Sequence, residues 1–139
     1  MVDSIIVEGY EIFKDRLYTK THEWIKIHGE NGIVGITDYA QKELQDITYV
    51  ELPDIGIEVS QGEEVATVES VKHTSPIYSP VSGEIINVNE NLEEEPDIIN
   101  KNPYGDGWIF EIKLTNPGEI KNLLSPEIYA DLVRAEKKS

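Results

Sequence analysis

Lys72 is the residue of this sequence whose setting suggests chemistry. It lies in the segment Glu-Ser-Val-Lys-His-Thr-Ser-Pro, residues 69–76, between two runs that are predicted to be β-strands. A lysine that carries an attached group needs an exposed, rigid tip, so that an enzyme can acylate the amine and the arm can move between partners. A tight β-turn provides such a tip. On composition alone, an ordinary solvent-exposed lysine in a turn is the simpler interpretation.

The remaining reactive residue types form no catalytic or metal-binding pattern. His22, His28 and His73 include no pair with the spacing of one helix face, and no His-Glu-x-x-His motif is present. The sequence contains no Cys, which excludes disulfides, thiolate metal sites and a Cys nucleophile. We therefore predict no catalytic residue and no metal site, and any redox chemistry must come from an attached group.

The charge of the chain restricts its partners. Twelve basic residues stand against 27 acidic ones, for a formal net charge of −15. Nucleic-acid binding relies on basic residues that neutralise phosphates, so nucleic acid is disfavoured, as are anionic membranes. Basic protein surfaces are better partners, although the charge could equally serve solubility alone. The acidic run 93–97 is either a docking patch or a solvated loop. The acidic N-terminus is unlike a transit peptide, and we predict a cytoplasmic protein without membrane spans.

The length of 139 residues fits one domain. We predict that residues 1–16 are an N-terminal extension, packed or loose, and that 17–139 form the domain. Alternating apolar residues and turn signals predict strands at 23–28, 33–36, 47–52, 64–70, 77–80, 83–88 and 108–114. Capping residues predict helices from Thr37 or Asp38 through Gln45, at 117–124 and at 126–136. Residues 59–65 resemble 81–85, one copy on each side of Lys72, which suggests a quasi-symmetric β module.

The chain resembles the glycine cleavage H-protein family from about Tyr18 to Leu132. The matching motifs, in chain order, are residues 18–24 (Tyr-Thr-Lys-Thr-His-Glu-Trp), 35–41 (Gly-Ile-Thr-Asp-Tyr-Ala-Gln), 49–53 (Tyr-Val-Glu-Leu-Pro), 69–72 (Glu-Ser-Val-Lys), 77–84 (Ile-Tyr-Ser-Pro-Val-Ser-Gly-Glu), Asn100, 102–104 (Asn-Pro-Tyr) and 107–108 (Gly-Trp). The resemblance implies a mainly β lipoyl-domain fold, a barrel-sandwich hybrid of two sheets with short peripheral helices. It also implies that Lys72 carries lipoate. Biotin carriers share the architecture, but Met typically flanks their lysine, whereas Val71 and His73 flank this one.

The resemblance further implies a shuttle that catalyses no step itself. Its expected partners are a pyridoxal-phosphate glycine decarboxylase that loads an aminomethyl group, a folate-dependent aminomethyltransferase, dihydrolipoyl dehydrogenase, and a lipoyl ligase or transferase. Two alternatives remain at this stage. One is a similar carrier in another lipoate-dependent pathway, such as sulfur oxidation. The other is an acidic β interaction module whose lysine is never modified.

Family members hold the loaded arm in a surface cleft. By resemblance, Thr21 and Glu23 match the hydroxyl residue and the acid that bind its amine. A second acid is usual four residues after the lysine, where this sequence has Pro76. A His is common at Tyr39 and a Gly at Gln45. The resemblance therefore predicts that this chain holds its arm with one carboxylate fewer than its relatives.

Overall fold

The computed structural model describes residues 2–138. The strands are β1 (Ser4–Val7), β2 (Tyr10–Phe13), β3 (Leu17–Tyr18), β4 (Glu23–His28), β5 (Asn31–Ile36), β6 (Ile47–Glu51), β7 (Glu58–Val59), β8 (Glu64–Ser70), β9 (Thr74–Tyr78), β10 (Gly83–Val88) and β11 (Phe110–Leu114). The helices are α1 (Asp38–Leu44), α2 (Asn91–Glu94), α3 (Ile98–Lys101), a 3₁₀ helix (Pro117–Asn122) and α4 (Pro126–Lys138).

Two antiparallel sheets supply the main core. One has the strand order β3-β4-β5-β11-β10-β7, the other β6-β8-β9, and β1 with β2 forms a separate hairpin. Side chains from both sheets, among them Ile25, Val34, Val68, Ile85 and Ile112, are buried in one cluster. Within the described residues the sheets are not closed into a continuous hydrogen-bonded barrel. The predicted lipoyl-domain fold of two sheets with peripheral helices is confirmed.

Alternation along β8 follows the prediction. Ala66 and Val68 are buried, whereas Glu69 is exposed, because successive side chains of a strand point to opposite faces. The start of β4 departs from the expected half-buried pattern, since Glu23, Trp24 and Ile25 are all buried. Both faces are covered there: Ile25 belongs to the main core, and Trp24 to a second cluster on the other face.

The second cluster joins the N-terminal hairpin to the C-terminal helix. Val7 and Ile12 of the hairpin are buried together with Tyr129 and Val133 of α4. The ring of Tyr129 also stacks on Tyr18, with 4.6 Å between the ring centroids. The hairpin thus lies packed on the helix, while the domain boundary after residue 16 stays a prediction.

The predicted helix after Thr37 is confirmed as α1. The Thr37 hydroxyl accepts a hydrogen bond from the backbone N–H of Ala40 at 3.2 Å, which satisfies a free donor of the first turn. The helix ends at Leu44, and the next residue, Gln45, has a φ of +67°, which lies in the left-handed region. Such a backbone favours glycine, which accounts for the usual residue at this position in the family.

Several element boundaries differ from the predictions. Strand β9 starts at Thr74 rather than at residue 77, because it pairs with β8 up to the hairpin tip. The last strand starts at Phe110 rather than at residue 108. The predicted segments at 117–124 and 126–136 are the 3₁₀ helix and α4. The short helices α2 and α3 were not predicted, since four residues are too few to show a period.

Candidate functional site

Lys72 lies at the tip of the hairpin formed by β8 and β9, and its side chain is exposed. Ser70 organises the tip: its hydroxyl oxygen accepts hydrogen bonds from the backbone N–H groups of Lys72 at 3.2 Å and His73 at 3.1 Å. The backbone N–H of Val71 donates to the Asp46 carbonyl at 3.0 Å, which braces the tip against the connection before β6. The tip therefore presents a free-standing amine on a fixed backbone.

A cleft of about 590 Å³ lies at the other end of β9. Its lining includes Thr21 from the turn before β4, Glu23 from the start of β4, and Tyr78 from the end of β9. Gln61 and Asn122 line the opposite part, where the Asn122 amide donates to Gln61 Oε1 at 3.2 Å. The cleft is thus formed by segments that are far apart in the sequence.

Glu23 is the buried charge of this cleft, with a relative exposure of 1%. One carboxylate oxygen accepts hydrogen bonds from the hydroxyls of Thr19 and Thr21, and the other accepts from the backbone N–H of Tyr78 at 3.1 Å. Among the ion pairs of residues 2–138, none involves Glu23. Burial raises the pKa of Glu23, and the hydrogen bonds from the two threonines oppose that rise. A buried carboxylate without a cation is suited to bind one that enters the cleft.

The structure brings Thr21 and Glu23 together and leaves Lys72 apart from them. The four residue steps of β9 from Thr74 to Tyr78 span roughly 13 Å at the usual strand rise. A lysine extended by a lipoyl group has about a dozen bonds between Cα and sulfur, a reach of roughly 14 Å. The reach of a lipoyl-lysine arm therefore matches the distance that β9 spans between the tip and the cleft. The roles predicted for Thr21 and Glu23 stay predictions.

The three departures from the family pattern lie outside the cleft lining. Pro76 is half-buried on β9, two residues before Tyr78 and therefore on the same face of the strand. Tyr39 is buried in the second cluster, with its ring centroid 4.7 Å from that of His22. Gln45 directly follows α1. Of the three, Pro76 is the one that lies along the path from the tip to the cleft.

Several residues of the cleft lining were not predicted from the sequence. Thr19 belongs to a matched motif, and the spacing of Thr19, Thr21 and Glu23 at every second residue could have indicated that the three side chains share one face. Gln61 and Asn122 carry no local signal, because they meet only through the fold.

Other kinds of site have no counterpart in the described part of the chain. Within residues 2–138, no group of three or more His, Cys, Asp or Glu side chains is arranged to hold a metal ion. Over the same residues, no helix combines the length and the apolar character needed to cross a membrane.

Comparisons with known proteins agree with one another. The sequence model of the family described as Glycine cleavage H-protein matches residues 16–136. The probable glycine cleavage system H protein of Aeropyrum pernix is 54% identical over 125 residues, which cover 90% of this chain and 87% of that protein. The glycine cleavage system H protein of Thermus thermophilus is 52% identical, with coverages of 91% and 98%.

Among solved structures, a glycine cleavage system H protein from Mycobacterium marinum superposes with a TM-score of 0.78 at 40% sequence identity. The match covers 85% of this chain and 95% of that one. Fold, motifs and identity therefore agree, and the chain belongs to the glycine cleavage H-protein family.

Proposed function

We propose that this chain is the lipoyl-carrying shuttle of the glycine cleavage system, with lipoate attached to Lys72. Members of the family carry lipoate on a lysine, and when bound the group supplies a disulfide that can accept and release an aminomethyl group. The observation that carries the proposal is the combination of an exposed amine at one end of β9 with a buried carboxylate at the other, which forms no ion pair within residues 2–138. Lipoate is attached to the amine, and the loaded arm is held at the carboxylate.

The residues of the cleft hold and shield rather than react. A protonated amine in the cleft would pair with the Glu23 carboxylate, and the Thr19 and Thr21 hydroxyls can turn to accept its remaining hydrogens. Because Glu23 lies almost out of contact with water, this pairing is little screened. We propose no catalytic residue: the chemistry belongs to the attached group and to the partner enzymes.

The partners follow from this role. We propose that glycine decarboxylase loads the arm, that the folate-dependent aminomethyltransferase unloads it, and that dihydrolipoyl dehydrogenase reoxidises it. A lipoyl ligase or transferase attaches lipoate in the first place. The net charge of −15 favours basic docking surfaces on these enzymes. A cytoplasmic location is part of the proposal.

Incubation with a lipoyl ligase, lipoate and ATP tests the attachment. We expect intact-mass analysis to show one lipoyl group and peptide mapping to place it on Lys72. The Lys72→Arg variant should stay unmodified, whereas Lys101→Arg, which removes another exposed lysine, should be modified as fully as the parent. Modification at Lys20 or Lys101, or none at all, would contradict the proposal, and the last result would favour an unmodified interaction module.

The same preparation separates glycine cleavage from another lipoate-dependent pathway. We expect purified glycine decarboxylase to load the lipoylated protein with an aminomethyl group from glycine. The relatives above are named for glycine cleavage, so a carrier in sulfur oxidation is not favoured. A lipoylated protein that glycine decarboxylase does not load would reverse that preference.

A further inference from the structure

His22 stands between the two residues proposed to hold the arm, but its ring points away from the cleft into the second cluster. Its φ of +73° lies in the left-handed region, which a residue with a Cβ adopts only at a cost in free energy. Its backbone N–H donates to the Thr19 carbonyl at 3.2 Å, and its carbonyl accepts from the Thr37 N–H at 3.1 Å. Such a conformation persists where the surroundings enforce it.

The ring of His22 supplies that enforcement. Nδ1 lies 2.8 Å from the Tyr129 hydroxyl, and Nε2 lies 2.9 Å from a carboxylate oxygen of Glu136, both on α4. The Tyr129 hydroxyl lies a further 2.7 Å from the hydroxyl of Thr37, the residue that caps α1. One face of the ring packs on Tyr39 of α1. The side chain thus ties the turn before β4 to two helices that do not line the cleft.

We propose that His22 is a positioning residue: its ring, held by α4, maintains the left-handed turn that directs Thr21 and Glu23 into the cleft. The backbone rotation at residue 22 sets the directions of both neighbouring side chains. Without its contacts to α4, the turn would relax toward ordinary negative φ values. The side chains of Thr21 and Glu23 would then point in other directions. The inference rests on the proposed function, and it makes α4 a part of the arm site without contact to the arm.

Two variants at position 22 test whether the contacts of the ring maintain the backbone conformation. His22→Ala keeps the Cβ that disfavours the left-handed conformation and removes both ring contacts. His22→Asn tolerates that conformation, and its side-chain oxygen can take the place of Nδ1 toward Tyr129, while the contact with Glu136 is lost. The matched control is His28→Asn, because His28 lies at the far end of β4, half-exposed and 3.3 Å from Glu111.

The first measurement is the rate at which the loaded, lipoylated protein loses its aminomethyl group without the folate-dependent enzyme. We expect His22→Ala to lose it faster by roughly fivefold or more, within the range for coupled neighbours. His22→Asn should lie between that variant and the parent, and His28→Asn should match the parent. Because a general loss of stability would rank the variants in the same order, Tm is measured alongside, and the titration of Glu23 decides between the two explanations.

The second measurement needs no lipoyl group: an NMR titration of the Glu23 carboxyl in the unlipoylated proteins. We expect the pKa of Glu23 to fall toward its ordinary value in His22→Ala, because a turned side chain regains water. Parental release and parental titration in His22→Ala would overturn the proposal, even with lower thermal stability. Failure of the parent to accept lipoate would instead refute the proposed function, and the titration would still decide the role of His22.

Discussion

Replacing Glu23 by Gln should weaken the hold on the arm and at the same time stabilise the fold. Gln keeps the size of the side chain and can satisfy the same neighbours: its oxygen can accept from the Tyr78 N–H, and its NH₂ group can donate to the Thr19 and Thr21 hydroxyls. What it removes is the negative charge. The substitution therefore tests the charge of the cleft and leaves its shape nearly unchanged.

The effect on the arm follows from the burial of Glu23. A hydrogen bond to a charged group contributes about 1.5–3 kcal/mol when it is well desolvated, and an exposure of 1% places Glu23 in that class. Since each 1.4 kcal/mol corresponds to tenfold, the held arm should be disfavoured by about ten- to hundredfold. Spontaneous loss of the aminomethyl group should accelerate by a similar factor.

The effect on stability has the opposite sign. Burial raises the pKa of Glu23 above the ordinary 4.5, so the folded state binds this proton more tightly than the unfolded state does. The stability contributed by the group is complete below the unfolded pKa and is lost as the pH rises through the folded value. At pH 7 the ionised carboxylate therefore costs stability. We expect Glu23→Gln to raise Tm at pH 7, and each 1 kcal/mol of stabilisation corresponds to roughly 3 °C in a domain of this size.

The assay compares parent, Glu23→Gln and Glu58→Gln, all lipoylated and loaded, without the folate-dependent enzyme. Glu58 is exposed on β7 and provides a control that removes the same charge outside the cleft lining. Aminomethyl loss is followed by mass spectrometry, and Tm is measured for the unloaded proteins at pH 7 and pH 4. Equal release from all three proteins would refute the assignment of Glu23. A lower Tm for Glu23→Gln at pH 7 would refute the argument from burial.

Three further outcomes are expected. Pro76→Asp restores an acid beside the path to the cleft. Because position 76 is only half-buried, water screens the new charge, and aminomethyl loss should slow only a few-fold. Equal rates for Pro76→Asp and the parent would point to Glu69 on β8 as the acid already present. The KM of glycine decarboxylase for the lipoylated protein should rise with ionic strength, because exposed charges are screened beyond about 10 Å at 0.1 M salt, and a flat response would indicate apolar docking. Burial lowers the pKa of His22, and Glu136 opposes that change. The stability that the neutral ring contributes is therefore present above pH 6.5, the ordinary pKa, and is lost as the pH falls through the pKa of the folded state. The Tm of His22→Asn should therefore fall less between pH 7 and pH 5 than that of the parent. The groups that face the ring are Tyr129 and Glu136 of α4 and Tyr39 and Glu43 of α1.

Local patterns in the sequence predicted most of the sheet strands, whereas the resemblance to the family implied Lys72 as the site of attachment, which stays a prediction. Alternation identified β4 and β8, and the Thr37 cap identified α1, since these signals depend on neighbours a few residues away. The ordered motifs placed Lys72 between two strands. The boundaries of the elements depend more on the fold. The sequence predicts a start of β9 three residues too late, because Thr74 to Pro76 are extended through pairing with β8 and show no alternating pattern of their own.

The sequence by itself determined that an amine lies at a turn between two strands, and its resemblance to the family singled out a threonine and a glutamate two residues apart. Only the tertiary structure decided that Glu23 is buried and forms no ion pair within the described residues 2–138. It also decided that Tyr78 and Gln61 complete the cleft, and that α4 holds His22. These properties come from segments that are far apart in the chain. The reason is physical: hydrogen-bond partners, burial and the resulting pKa depend on the whole set of neighbouring atoms, which no local window of sequence contains.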